Sequence, residues 1–193
     1  MTMTTTTNGE ASGELTIDPV LRMRSRFWRD SEDGREILNV ETWVDPGGGV
    51  TPHIHPAMDE RFEVLEGRPQ FLAGHSWKEA RPGETVHVPP GTRHAFRNRS
   101  DEVAHFVCHA SPPSSLQGFL EDAAALSRAG AITRRALPRS IDGLLQAAVM
   151  ADHYREMVTL LAPLPPPAIQ RLVIPPLARA GERRGYRAGQ IGR

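Results

Sequence analysis

Hydrophobic and polar positions follow two different rhythms along this 193-residue chain. From about Val20 to Ala110 they come in short runs closed by Gly, Pro, Asn and Asp. In residues 36–44 (EILNVETWV), Leu38, Val40, Thr42 and Val44 share one face of an extended chain, and Asn39, Glu41 and Trp43 share the other. Residues 61–65 and 69–73 flank the tight turn Glu66-Gly67-Arg68. Further turns follow at Gly74-His75-Ser76, Arg81-Pro82-Gly83 and Pro89-Pro90-Gly91. Residues 103–109 (VAHFVCH) form another run rich in β-branched and aromatic side chains. Many short strands with turns at near-regular spacing, and no helical pattern between them, predict an antiparallel sandwich or barrel.

After residue 113 the period lengthens. Leu116, Phe119, Leu120 and Ala123 fall at i, i+3, i+4 and i+7, with Ser114 or Ser115 as N-cap and Gly130 as the stop. A second helix is expected to start at Ser140 and run through Leu144, Leu145, Ala148 and Met157 to about Leu161, where Pro163 ends it. Pro165-Pro166-Pro167 can open a third segment, which Pro175-Pro176 would break or kink. Residues 1–14, Thr-rich and without period, are expected to form a disordered arm. The predicted organisation is that arm, a β-rich unit over 15–112, and a helical extension over 113–193 that packs on a barrel.

Composition sharpens this division. The chain has 23 basic and 23 acidic side chains, which argues against a nucleic-acid binder relying on overall positive charge. The balance hides an asymmetry: residues 1–113 carry 12 basic and 17 acidic side chains, residues 114–193 carry 11 and 6. All three Trp, five of the six Phe and seven of the eight His precede residue 114. The lone Cys108 makes no internal disulfide, so no oxidising compartment is implied. Neither a signal-peptide pattern nor a stretch long enough to span a bilayer stands out, and a cytoplasmic protein without membrane partners is expected.

The chemistry concentrates between Gly47 and Asn98. His53 and His55 are two residues apart, so on a strand their imidazoles share a face, about 6.5–7 Å apart at the backbone. Glu60 opens the next strand beyond the turn at residues 56–59, and His94 begins a later one. Three neutral imidazoles and a carboxylate make a mixed nitrogen and oxygen donor set suited to one first-row divalent metal, with Mn, Fe, Ni, Zn and Cu all open.

The spacing of Gly47, His53, His55, Glu60 and Gly67, followed by Gly83, Pro89, Gly91, His94 and Asn98, resembles the two motifs of the cupin superfamily at every defining position. The resemblance covers about residues 20–112 and implies a mainly β fold: an RmlC-like jelly-roll β-barrel, with the helical tail following it. It implies His53, His55, Glu60 and His94 as metal ligands inside the barrel, and Glu60 as a catalytic base as well as a ligand. Cupin barrels commonly dimerise, so a homodimer is expected, with the helices covering part of a barrel face or folding over its mouth as a lid.

Pocket walls follow from alternation. Phe62 shares the face of Glu60, and Phe96 shares that of His94. Trp43 and Phe106 are further candidates for the wall, and Arg93 is a candidate anchor for an anionic substrate. His105 and His109 lie about 13 Å apart along one strand and cannot both bind one metal. His87 and His75 are expected at the surface, Cys108 as a small buried hydrophobe, and Asn98 as the holder of a turn. The implied activity is a metal-dependent enzyme, dioxygenase-like or an isomerase or decarboxylase, acting on a small polar or aromatic molecule. The alternative is a non-catalytic cupin that binds or senses a small molecule. A DNA-reading helix around residues 131–155 is disfavoured, because Leu137-Pro138-Arg139-Ser140 separates the basic residues from the following helix.

Overall fold

The computed structural model describes residues 14–161 and 164–191. The arm expected at residues 1–14 therefore lies, except for Glu14, outside the described residues. The elements in order are β1 (Thr16–Asp18), β2 (Met23–Glu32), β3 (Arg35–Val44), β4 (His53–Ile54), β5 (Asp59–Glu66), β6 (Gln70–Ala73), β7 (Ser76–Glu79), β8 (Thr85–Val88), β9 (His94–Arg97) and β10 (Ala104–Ser111). Then come α1 (Leu116–Arg128), α2 (Ile141–His153), β11 (Thr159–Leu160) and α3 (Pro167–Arg183). The strands form two antiparallel sheets, ordered β1-β2-β3-β10-β5-β8 and β11-β4-β9-β6-β7. This is the mainly β, jelly-roll architecture with a helical tail that the sequence predicts.

Local sequence explains the hairpins. β2 and β3 pair over ten residues, from Met23↔Val44 to Glu32↔Arg35, around the two-residue turn Asp33-Gly34. Both turn residues have positive φ (50° and 75°), as the right-handed strand twist requires of so short a loop. Gly67 has φ +74°, and a Cβ there would lie 2.5 Å from the Val103 carbonyl oxygen, so no other residue fits. Asn98 is buried and ties its turn together: its amide donates to the carbonyls of Val44 (2.9 Å) and Glu102 (2.6 Å), and its oxygen accepts from the Ser100 backbone (3.0 Å).

Leu38, Val40 and Val44 of β3 point between the sheets, where Phe62, Phe71, Phe96 and Phe106 pack with ring centroids 4.9–6.4 Å apart. The same apolar cluster continues without a gap into the tail through Leu116, Leu126, Met150, Tyr154, Met157 and Val158. α1 lies against β1, where the Ser127 hydroxyl donates to Asp18 (2.5 Å) and accepts from the Val20 amide (2.9 Å). Of the apolar stripe of α1, Leu116 is buried in this core, and Phe119, Leu120 and Ala123 pack half-buried against it.

The tail departs from expectation in two places. Ser140 caps α2 as predicted, accepting from the Gly143 amide at 3.0 Å. However, α2 ends at His153 rather than near Leu161, and Thr159 and Leu160 become β11, paired with Ile54 and His53. An open edge on β4 offers backbone partners to β-compatible residues, and that tertiary pairing outweighs the helical period. α3 opens at Pro167 and continues through Pro175 and Pro176 to Arg183, so of the expected break or kink the break does not occur. The residues one turn earlier, Arg171 and Leu172, are exposed, so carbonyls deprived of their helical donors face water. Close packing also holds the helix: a Cβ on Gly181 would sit 2.7 Å from Val149 of α2. No helix among the described residues is long and apolar enough to cross a membrane.

Candidate metal centre

β4, β5 and β9 bring the chemistry together. His53 opens β4 and pairs directly with His94, the first residue of β9, and His55 follows β4 by one residue. The three histidines each offer a ring nitrogen within 4.8 Å of the other two, a geometry that can hold a metal ion. Ring centroids lie 4.1 Å (His53–His94), 4.9 Å (His53–His55) and 5.2 Å (His55–His94) apart.

The far nitrogen of each ring is held by the backbone. Nδ1 of His53 lies 2.9 Å from the Thr51 carbonyl, that of His94 lies 2.9 Å from the Thr92 carbonyl, and that of His55 lies 2.8 Å from the Met157 carbonyl. A carbonyl only accepts, so Nδ1 carries the proton in all three rings, and the neutral tautomer presents a bare Nε2 to the site. Such partners fix the orientation of an imidazole before any ligand arrives. The Met157 contact comes from the tail, 102 residues away in sequence.

Glu60, the second residue of β5, is 4% exposed and flanks the three rings. Its Oε2 lies 2.7 Å from His94 Nε2, and its Oε1 lies 3.9 Å from His55 Nε2. Beyond this contact with each other, Glu60 Oε2 and His94 Nε2 are buried polar atoms without a hydrogen-bond partner among the described residues. Two unsatisfied atoms of this kind side by side are costly, and a cation between donors of this set would relieve both. The donor set and the orphaned atoms therefore fit a divalent metal.

The electrostatics keep two of the three imidazoles neutral. Burial, with the charges of His94 and His55 adding to it, lowers the pKa of His53 from 6.5 to about 3. Burial also lowers that of His55, partly opposed by Glu60. For Glu60 burial works against ionisation, yet contact with His94 and the nearby charge of His55 outweigh it and hold the carboxyl below its ordinary range. His94 is the converse: burial disfavours its cation, but Glu60 raises its pKa overall.

These groups line a cavity of about 140 Å³. Phe62, Phe96 and Phe106 line it, as do Val40 and Thr42 of β3. Trp43, expected in the pocket wall, is not among the lining residues. Its parity on β3 is opposite to that of Val40 and Thr42, so it faces outward. There it stacks on His105 (4.6 Å, 16°), with the Arg24 and Arg26 guanidinium groups 5.8 and 5.5 Å from its ring. His105 pairs with Glu41 (2.9 Å) and His109 with Asn39 (2.6 Å) on that outer face, while His87 meets Asp59 (2.7 Å) at the surface. Arg93 is exposed and lies away from the cavity.

Sequence reasoning missed three contributors. Cys108 lines the cavity with its Sγ 3.6 Å from Glu60 Oε1, and its alternation with Phe106 on β10 is a signal that could have placed it there. Leu116, Phe119, Leu120 and Ala123 of α1 form the opposite wall, the same stripe that marked the helix. The Met157 carbonyl had no sequence signal, being backbone.

Comparison with known proteins bears on the barrel alone. A cupin domain model matches residues 41–110. The chain is 36% identical over 67 residues to "Polyketide synthase CurC" of Streptomyces cyaneus, covering 35% of this chain and 44% of that one. It is 32% identical over 69 residues to "Protein SchB" of Streptomyces halstedii, covering 36% and 50%. The chain thus spans half or less of the length of these two relatives. Among solved structures it is similar to the polyketide cyclase RemF from Streptomyces resistomycificus, with 29% identity, 48% of this chain and 68% of that one covered, and a TM-score of 0.40. With both motifs in place, two antiparallel sheets around them and a matching domain model, residues 41–110 of the barrel form a cupin domain.

Proposed function

We propose that this protein is a metal-dependent enzyme acting on a small, largely apolar aromatic molecule of the polyketide or phenol type. The observation that carries the reading is the convergence of three pre-oriented imidazoles and the buried Glu60 Oε2 in the wall of an apolar cavity. The similarity to a protein named a polyketide synthase supports the substrate class.

His53, His55 and His94 would hold the metal through Nε2, and Glu60 would complete the set. When bound, a divalent metal supplies Lewis acidity toward a substrate oxygen. The chain's own residues do the rest. Phe62, Phe96 and Phe106 exclude water and orient an apolar ring. Glu60, kept ionised by His94 and His55, is the group able to take a proton at Oε1 or Oε2 from a bound substrate. Cys108 donates its thiol hydrogen toward Glu60 Oε1 and steadies that carboxylate.

Elemental analysis of the purified protein, before and after reconstitution, tests the first half: close to one equivalent of a transition metal is expected, and under about 0.1 equivalent overturns it. Oxygen uptake with single-ring catechols tests the second. Metal-dependent uptake assigns dioxygenase chemistry; turnover without uptake assigns isomerase, decarboxylase or cyclase chemistry. A metal-loaded protein that binds these compounds and turns over none of them is a binding cupin instead.

A further inference from the structure

The barrel cavity has a neighbour. A groove of about 390 Å³ lies between the end of α2, β11 and the start of α3, with Arg155, Gln170, Arg171 and Ile174 on its walls. Phe119 and Leu160 line both this groove and the barrel cavity. These two side chains are the partition between an apolar inner space that the histidines help line and an outer one with charged walls.

Both partition residues are braced. The Phe119 ring meets Tyr154 edge-on, with centroids 5.5 Å apart and planes at 80°. Tyr154 is 3% exposed and its hydroxyl donates to the buried Asp122 carboxylate at 3.0 Å, so the brace is itself anchored. Leu160 sits in β11, in register with His53. A wall fixed from both sides sets a size limit rather than yielding to whatever enters.

We propose that the inner cavity takes a ligand of one six-membered ring, and that Phe119 is the residue that sets this limit. Size carries the argument. A dry core cavity of about 150 Å³ lined by Leu, Ile and Phe accepts benzene, and the inner cavity is about 140 Å³, with Val40, Phe62, Phe96, Phe106 and Phe119 among its walls beside the polar groups of the histidine site. A second fused ring exceeds this volume, and the Phe119 and Leu160 side chains stand between it and the neighbouring groove. Removing the Phe119 ring joins the two spaces and lets the second ring pass over Leu160 toward Ile174. The proposal rests on the functional reading above for which end of the ring reacts, and on the cavity alone for which rings enter.

The test uses fluorobenzene and 1-fluoronaphthalene, followed by ¹⁹F NMR titration of the full chain, metal-free and zinc-loaded. Neither probe carries a metal donor. The unmodified protein is expected to bind fluorobenzene saturably, and fluoronaphthalene at least about tenfold more weakly. Phe119→Ala should tighten fluoronaphthalene binding by about tenfold or more while changing fluorobenzene little. Leu160→Ala opens the partition from the other side and should act in the same direction, which keeps the test decisive if Phe119→Ala does not fold. Equal affinity for the two probes in the unmodified protein, no saturable fluorobenzene binding, or no gain for fluoronaphthalene in a folded partition variant each overturns the proposal. Size-selective binding in a protein that takes up no metal supports the size limit while removing the functional reading, so the two fail separately.

Discussion

At the scale of the residue, the site depends on where protons sit. Nδ1 of His53, His55 and His94 is committed to a backbone carbonyl, so each ring has one nitrogen left to give. His94→Ala removes a donor and leaves Glu60 Oε2 buried without a counter-charge. Zinc affinity measured by calorimetry should fall by more than about 100-fold. His75→Ala and His109→Ala alter residues outside the cavity and should stay near the unmodified value. The histidines also predict a pH response of the metal-free fold. The pKa of His53 is depressed, so the unfolded chain binds the extra proton more readily. Stability from this residue is full above pH 6.5 and is lost as pH falls toward about 3. Glu60, also depressed, is lost in the same direction. The raised His94 acts oppositely: its contribution is full below pH 6.5 and lost as pH rises through its shifted value. Urea denaturation of metal-free His53→Gln should show a shallower loss between pH 6.5 and 4 than the unmodified protein; an unchanged slope would place the acid sensitivity elsewhere.

At the scale of the element, the short strand β11 matters more than its two residues suggest. It pairs with β4, the Leu161 amide donates to the Pro52 carbonyl at 3.1 Å, and Gln170 of α3 holds the Leu160 carbonyl at 2.8 Å. This anchoring sets the Met157 carbonyl against His55 Nδ1. Leu161→Pro removes the donor to Pro52 and should loosen the strand without touching a histidine. A loss of about 10- to 100-fold in zinc affinity is expected, the range associated with partners that orient metal-binding histidines. Nitrogen-detected NMR of the His55 ring should then show a mixture of tautomers. An unshifted affinity with an unshifted ring signal would mean that His55 is oriented by the barrel alone. The β2–β3 turn offers a contrast: Gly34→Ala places a side chain at φ 75° with nothing nearby, so it should cost about 1–2 kcal/mol through backbone strain and leave metal affinity alone.

At the scale of the whole molecule, barrel and tail share one apolar cluster, from Leu38 and Phe106 to Leu126, Met150 and Tyr154. Cores joined in this way unfold together. The chain carries its own probes, because Trp28, Trp43 and Trp77 all lie in strands of the barrel and all three helices lie in the tail. Tryptophan fluorescence and far-ultraviolet circular dichroism should therefore give coincident denaturation midpoints. Separate midpoints would show a tail that unfolds from an intact barrel.

The sequence by itself determined many of the strands and their turns, and it put His53, His55, Glu60 and His94 together only through the resemblance of its two motifs, since β9 pairs with β4 across 41 residues. Strand alternation, glycine at turns and fixed spacing within a hairpin are local, and a tight turn leaves the flanking strands little freedom in how they face each other. Alternation also separated Trp43 from Val40 and Thr42 correctly, but it could not say which of the two faces was inside; only the packing of β3 against the rest of the core decides that. The same holds for the end of α2. A helical period runs on past His153, and what stops it is the open edge of β4, more than a hundred residues earlier in the chain. The carbonyl that orients His55 comes from that distant contact as well, and Phe119 reaches the cavity from α1, where it packs on Tyr154. Local propensity is a matter of tenths to about 1 kcal/mol per residue, and a backbone edge or an apolar cavity that would otherwise stay uncovered outweighs it. Such partners are set by tertiary structure, and no window of the sequence contains them.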